Sequence, residues 1–304
     1  GGSFCIAHRC GAGEGPENTI AAALKAAKNG ARWLQLDVML TKDRKLVCFH
    51  DQEEENNLQR LTDAKQGVRI CDVEFKDIPD FKEKIPACAS CDKDQLIDTT
   101  EYGDSGKKIC SLEDFFGKVP ERVPVLLELW MPKDDTLVKL AVETIRKCKR
   151  VETTVVGNPF SRKIASDLDS YAPEIPRMYY FGEILGIYFM YYMGILPFLG
   201  TYALGRGENR ILNLPVFTSG FRDRIAHILK ASCLSRFLLM CTSWFLYNKN
   251  LVCYLKSKGV PVFAWILNSS EDLLAGEDLG ADGLMTDYTE RFAEFAISES
   301  LSAS

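Results

Sequence analysis

The stretch from Phe4 to Asp51 limits the fold more than any other, because its apolar runs stop abruptly at ionisable residues. Phe4-Cys5-Ile6-Ala7 ends at His8-Arg9, and a second run, Trp33-Leu34-Gln35-Leu36, ends at Asp37. Short apolar runs of this kind suit strands buried on both faces. A polar residue at the end then marks the carboxyl mouth of the strand. Between the two runs, the glycines after Arg9 let the backbone turn, with Gly11 and Gly13 expected to take the unusual angles. Pro16-Glu17-Asn18-Thr19 opens a helix with Asn18 or Thr19 as its N-cap, and Ala21-Ala22-Ala23-Leu24 supplies strong helix formers.

After Asp37 the chain runs through Val38-Met39-Leu40 and returns as Leu46-Val47-Cys48-Phe49-His50. A hairpin with Asp43-Arg44 as a two-residue tip places Asp37 opposite His50. Two imidazoles, a carboxylate and the cationic Arg9 at strand ends form a set suited to phosphate esters. Their cleavage needs an acid, a base and positive charge against the equatorial oxygens.

The rest of the chain repeats the alternation of helix and strand. Residues 52–110 are polar and rich in turn formers, which suits an insertion over the mouth. Ser111 caps a short helix, and Val123-Pro-Val-Leu-Leu-Glu128 is an apolar strand interrupted by one acid. A buried carboxylate costs several kcal/mol unless it is paired or coordinated, so Glu128 reads as a ligand. Asp135 to Arg146 has helical spacing, Thr153 to Gly157 is a strand, and Ile175 to Phe181 another. Ile211 to Val216, Gly259 to Asn268 and Asp282 to Asp287 complete the strands, with Ser269 and Gly280 bounding a helix. The count is nine with the hairpin partner, one more than a closed eight-stranded barrel holds. A chain of 304 residues accommodates one such barrel of about 250 residues plus an insertion, so residues 1–304 read as a single TIM (β/α)8 domain.

Residues 184–204 break the pattern: they carry no charge and four tyrosines, and are about the length needed to cross a bilayer. Pro197 and the glycines argue against a straight span, so a hairpin dipping into one leaflet beside the mouth is expected, with a buried core helix as the plain alternative. Phe237 to Leu255 is a further apolar helical run that includes Trp244, and Arg222 to Lys230 a helix whose His227 reads as a surface or packing residue. Eleven cysteines, scattered among apolar stretches, favour a reducing compartment. Cys88-Ala-Ser-Cys91 reads as surface thiols or a local disulfide, since no neighbouring histidine completes a zinc site. The net charge of -5 gives no reason to expect nucleic-acid binding. Gly1-Gly2-Ser3 leads straight into the first strand with no leader in view.

His8-Arg9-Cys10, Pro16-Glu17-Asn18-Thr19, Gln35-Leu36-Asp37 and His50-Asp51 resemble, in order, four markers of the glycerophosphodiester phosphodiesterase family. The likeness extends to Leu127-Glu128-Leu129, Trp265 to Asn268 and Gly283 to Asp287. Tyr191-Tyr-Met-Gly-Ile-Leu-Pro-Phe198 is similar to a segment of the lysophospholipase D subgroup. The resemblance implies a metal-dependent phosphodiesterase of the TIM-barrel class, with a small insertion after the third strand and a hydrophobic, membrane-associated one. It implies His8 and His50 as catalytic residues, Arg9 on the phosphate, and Gln35, Asp37 and Glu128 around Mg²⁺ or Ca²⁺. Trp130 and Trp265 would line the substrate pocket. The substrate would be a lysophospholipid or glycerophosphodiester losing choline or ethanolamine at a membrane surface, at the endoplasmic reticulum or perinuclear membrane facing the cytosol. Two residues depart from the family pattern: Gln35 stands for a glutamate and Trp130 for a lysine. Loss of a negative charge at position 35 weakens cation binding, which leaves a catalytically impaired lipid-binding chain as the alternative. A soluble enzyme for short glycerophosphodiesters is a third reading.

Overall fold

A computed structural model describes residues 2–50, 57–130, 134–198, 204, 209–216 and 245–302. Eight parallel strands form a closed barrel. They are β1 (Phe4–Ala7), β2 (Trp33–Leu40), β6 (Val125–Leu129), β7 (Thr154–Gly157), β8 (Arg177–Met178), β9 (Arg210–Pro215), β10 (Val262–Trp265) and β11 (Gly283–Thr286), and β1 pairs with both β11 and β2 to close the ring. The surplus strand is β3 (Leu46–Cys48). It runs antiparallel to the last residues of β2 and takes no part in the closure.

The period of two along each strand decides which side chains meet. On β2, Leu34, Leu36, Val38 and Leu40 are fully buried in the core between the strands and the outer helices. Each such leucine contributes about 2 kcal/mol through burial. The alternate residues face inward, where Ile6, Leu126, Val155, Met178, Ile211, Phe263 and Met285 pack with Trp33 into an apolar plug. Two residues further along their strands come His8, Glu128, Gly157, Asn213, Trp265 and Asp287, with Gln35 and Asp37 above Trp33. Sheet parity therefore stacks a polar layer on an apolar one at the carboxyl ends.

The hairpin differs from expectation by one residue. Val38 pairs with Cys48 and Leu40 with Leu46, so Asp37 lies opposite Phe49, whose N–H donates to the Asp37 carbonyl at 2.9 Å. The cause is the turn: Lys42, Asp43 and Arg44 form a three-residue tip closed by Thr41 and Lys45, with Arg44 left-handed at φ 67°.

An insertion follows β3 and contains the hairpin of β4 (Lys84–Pro86) and β5 (Leu96–Asp98). Its own apolar cluster of Leu58, Leu61, Ile70, Phe81, Ile85 and Ile97 packs on Met39, Val47 and Phe49. Arg60 ties it to the barrel, donating to Glu17 at 2.6 Å and to the carbonyls of Pro86 and Ala87.

The uncharged stretch begins inside a helix, Phe181–Tyr192, that buries Ile184, Ile187 and Tyr188 against the barrel. Its other face leaves Phe189, Tyr192, Met193 and, beyond it, Phe198 exposed. Twelve residues rise about 18 Å, and no helix among the described residues is long and apolar enough to cross a membrane. Below it, Arg177, buried and paired to Asp169 and Glu183, joins β8 to that helix. Of the expected run from Phe237 to Leu255, residues 237–244 lie outside the described residues, and the remainder holds a helix, Lys249–Ser257, capped by the Asn248 side chain. Asp51, His227, Trp244 and residues 199–203 lie outside the described residues.

Candidate active site

The loop after β1 shapes the site. Arg9 and Cys10 both adopt left-handed conformations, φ 45° and 65°, before Gly11 at 91°. The unusual angles therefore fall first on two non-glycine residues, each at a cost of about 1–2 kcal/mol. This turn delivers the Arg9 N–H to Gln35 Oε1 at 2.6 Å and its guanidinium to Glu17 at 3.0 Å and Asp37 at 3.4 Å. Gly13 is required by a close approach, since a Cβ there would lie 2.3 Å from the Tyr288 ring. Of the two N-cap candidates, Thr19 caps the helix Ile20–Lys28. Asn18 is instead turned to Asp37, donating to Oδ2 at 3.2 Å and accepting the Asp37 N–H at 3.0 Å.

Asp37 is the hub. Besides Asn18, its Oδ1 accepts from Gln35 Nε2 and from Trp130 Nε1, both at 2.9 Å. Burial works to raise its carboxyl, but His50, Arg9 and His8 together hold it below the ordinary value. Glu128 is its register partner on β6, and two in-register strands present both acids to the same interior. Burial, and then the Asp37 charge, push Glu128 up to about 8. Two buried acids side by side, one of them discharged only by such a shift, fit a divalent cation that would repay their desolvation. Gln35 has its oxygen on the Arg9 N–H and its nitrogen on Asp37, so it orients Asp37 and keeps one oxygen lone pair for an ion.

The two histidines are held differently. His50 is buried and meets Trp130 edge to face, with ring centroids 4.6 Å apart. Trp130 thus sets both Asp37 and His50. The Nδ1 atom of His8 lies 2.7 Å from Asp287 Oδ1, and Asn268 donates to Asp287 Oδ2 at 2.7 Å. Burial alone would lower the His8 pKa, but the Asp287 carboxylate outweighs it and lifts the ring to about 10. Trp265 is half-buried against the apolar plug.

Several site residues escaped the sequence reading. Glu17, Asn18, Asn268, Asp287 and Asn213 all reach the polar layer, and the Asn213 Oδ1 is buried with no hydrogen-bond partner among the described residues. Strand parity was the available signal: each of Asn213 and Asp287 falls two residues after an inward apolar one. Cys88 and Cys91 are buried free thiols 3.2 Å apart, not surface ones. A histidine does stand beside them. Among the described residues, His8, Cys88 and Asp287 form a group whose ligand atoms all lie within 4.8 Å of one another.

A parallel barrel with two histidines, an arginine and adjoining acids gathered around Asp37 at its carboxyl mouth defines a hydrolase of phosphate esters. The profile of the glycerophosphoryl diester phosphodiesterase family matches residues 8–183, and the chain belongs to that family of phosphodiesterases. It is 29% identical over 292 residues to lysophospholipase D GDPD1 of Rattus norvegicus, covering 95% of this chain and 85% of that protein. Lysophospholipase D GDPD3 of Homo sapiens is 29% identical over 282 residues, 93% and 81% of the two chains. Among solved structures, the glycerophosphoryl diester phosphodiesterase domain of a Mycobacterium tuberculosis protein superposes with TM-score 0.68 at 14% identity, covering 97% of this chain and 100% of that one. An Oleispira antarctica phosphodiesterase in complex with the product sn-glycerol-3-phosphate gives TM-score 0.61 at 19% identity, over 97% of each chain. These likenesses share the barrel fold.

Proposed function

We propose that the protein is a metal-assisted lysophospholipase D. It would cleave lysophospholipids or glycerophosphodiesters, release choline or ethanolamine, and leave lysophosphatidic acid or glycerophosphate. The observation that carries the reading is the gathering of His8, Arg9, Asp37 and His50 at one barrel mouth beside the in-register acid Glu128.

Arg9, braced by Glu17 and Asp37, sets positive charge against a non-bridging phosphate oxygen. Asp287 fixes His8 through Nδ1 and leaves Nε2 as the nitrogen open to proton transfer. One of His8 and His50 withdraws the proton of the attacking hydroxyl, and the other protonates the departing alkoxide. Mg²⁺ or Ca²⁺ held by Asp37 and Glu128, with Gln35 as a weaker neutral donor, supplies charge stabilisation for the phosphate oxygens when bound. Trp130, set against His50 and Asp37, and Trp265, half-buried above the apolar plug, would serve as aromatic walls for the substrate. The exposed Phe189, Tyr192, Met193 and Phe198 support contact with a membrane surface, from which an acyl chain reaches the mouth. The proposed place is the endoplasmic reticulum or perinuclear membrane; the nine described cysteines, all free, support only its cytosol-facing side.

A second reading, a lipid-binding chain without turnover, draws on Gln35 and Trp130, whose N–H groups both occupy Asp37 Oδ1. The deciding experiment is head-group release from lysophosphatidylcholine and glycerophosphocholine with each metal in turn. His8→Ala and His50→Ala are each expected to lower release by at least about a thousandfold. Native-like turnover in either variant ends the catalytic reading, and no release from the native chain favours the binder.

A further inference from the structure

Cys88 and Cys91 take no part in the chemistry above, yet they sit against its histidine. We propose that Cys88, His8 and Asp287, with Cys91 as a fourth donor, form a capture site for a thiophilic divalent cation of the Zn²⁺ class, and that occupation silences His8.

Three distant segments of chain supply the donors, and this convergence is the first argument. The ligand atoms of His8, Cys88 and Asp287 lie within 4.8 Å of one another. Within that group His8 Nδ1 is 2.7 Å from Asp287 Oδ1, and Cys88 Sγ is 3.5 Å from the same oxygen. Cys91 Sγ lies 3.2 Å from Cys88 Sγ, in a tight turn closed by the Cys91 N–H on the Cys88 carbonyl at 3.0 Å. Bonds of about 2.0–2.3 Å in a tetrahedron separate ligand atoms by about 3–4 Å, so small side-chain adjustments would seat an ion.

Donor chemistry is the second argument. Two sulfurs in a Cys-x-x-Cys spacing, one imidazole nitrogen and one carboxylate oxygen suit Zn²⁺, which takes S and N ligands in four-coordinate sites. The neighbouring pair, Asp37 and Glu128, offers oxygen alone and suits Mg²⁺ or Ca²⁺. The barrel mouth therefore holds two donor sets sorted by softness. Burial is the third: Asp287 is fully buried, and Cys88 and Cys91 are 4% and 6% exposed, so a captured ion would be shielded from water.

Capture has a defined effect on His8. The ion takes Nδ1 and the Asp287 oxygen that orients the ring, while the coordinating thiols and the His8 Nδ1–H release their protons to solvent. It sits away from Nε2, so substrate still binds but proton transfer fails. This consequence rests on the catalytic role proposed for His8; the capture site itself does not.

The test uses the full chain stripped by chelator and titrated with ZnCl₂, with bound metal measured by elemental analysis after gel filtration. Head-group release is followed in saturating Mg²⁺. The expected result is one Zn²⁺ per chain, and activity falling at that same stoichiometry through kcat at unchanged KM, unrelieved by further Mg²⁺. Cys88→Ser, which keeps a donor to Asp287, and Cys91→Ala are each expected to weaken Zn²⁺ binding at least tenfold and to remain active at zinc levels that stop the native chain. Zinc bound with native affinity by both variants overturns the site, as does inhibition that Mg²⁺ relieves, because the ion would then be competing at Asp37 and Glu128. Zinc held through both cysteines with turnover unaltered keeps the site and overturns the role given to His8.

Discussion

Replacing Gln35 by glutamate exchanges an amide nitrogen for a carboxylate oxygen 2.9 Å from Asp37 Oδ1. The Arg9 N–H keeps its acceptor, because one side-chain oxygen remains. Asp37 loses one of the two N–H donors on Oδ1, worth about 1.5–3 kcal/mol for a bond to a charged group. It also gains a like charge in contact, worth about 4 kcal/mol for charge centres about 4 Å apart at an effective dielectric near 20, which uptake of a proton by one acid caps. The net destabilisation without metal is expected at about 3–5 kcal/mol. For 304 residues the unfolding entropy is about 0.6 kcal/mol/K, so the Tm in EDTA should fall by about 5–8 °C. Millimolar Mg²⁺ or Ca²⁺ should return most of that loss and stabilise the variant more than the native chain. Thermal melts in chelator and in each metal measure both quantities. A variant that melts within a degree of the native chain in EDTA, or gains no more from metal, refutes the assignment of the two donors and of the cation to this cluster.

Other outcomes follow from the same geometry. Arg177→Met removes the buried one of two arginines that bridge Asp169 and Glu183, with Arg210 left on both acids, and is expected to cost about 1–2 kcal/mol, read as a Tm loss of a few degrees with kcat unchanged at low temperature; a shift below one degree contradicts the bracing role. The His8 and Asp287 pair sets a pH window. His8 is raised from 6.5 to about 10, so its contribution is whole below pH 6.5 and is lost as pH rises through 10; Asp287 is lowered from 3.8 to about 2, so its contribution is whole above 3.8 and is lost as pH falls through 2. The Tm gap between the native chain and Asp287→Asn, measured in chelator, should therefore be widest between pH 3.8 and 6.5 and close toward pH 10, and a gap that widens with alkali contradicts the pairing. Phe189→Asp with Phe198→Asp should abolish flotation with phosphatidylcholine liposomes while turnover of short glycerophosphodiesters persists; unchanged flotation removes the membrane contact from that face.

The chain's local chemistry determined a good deal on its own. Apolar runs that stop at His8, Asp37 and Glu128, alternating with helical spacing, specify a parallel barrel, because strand burial and helix periodicity are both written in neighbouring residues. The motif residues His8, Arg9, Asp37 and His50 are legible for the same reason. The tertiary structure decided what depends on parity, register and closure. Lys42 joins the hairpin tip, so Phe49 and not His50 faces Asp37, a one-residue difference that propensity cannot settle. Closure of β1 on β11 carries Asp287 to His8 across 279 positions, and the insertion folds Cys88 beside them. Gln35 and Trp130, read from sequence as losses of charge, turn out to hold Asp37 between two N–H groups. Hydrogen-bond direction between distant segments is a property of packed side chains, and only the folded barrel supplies it.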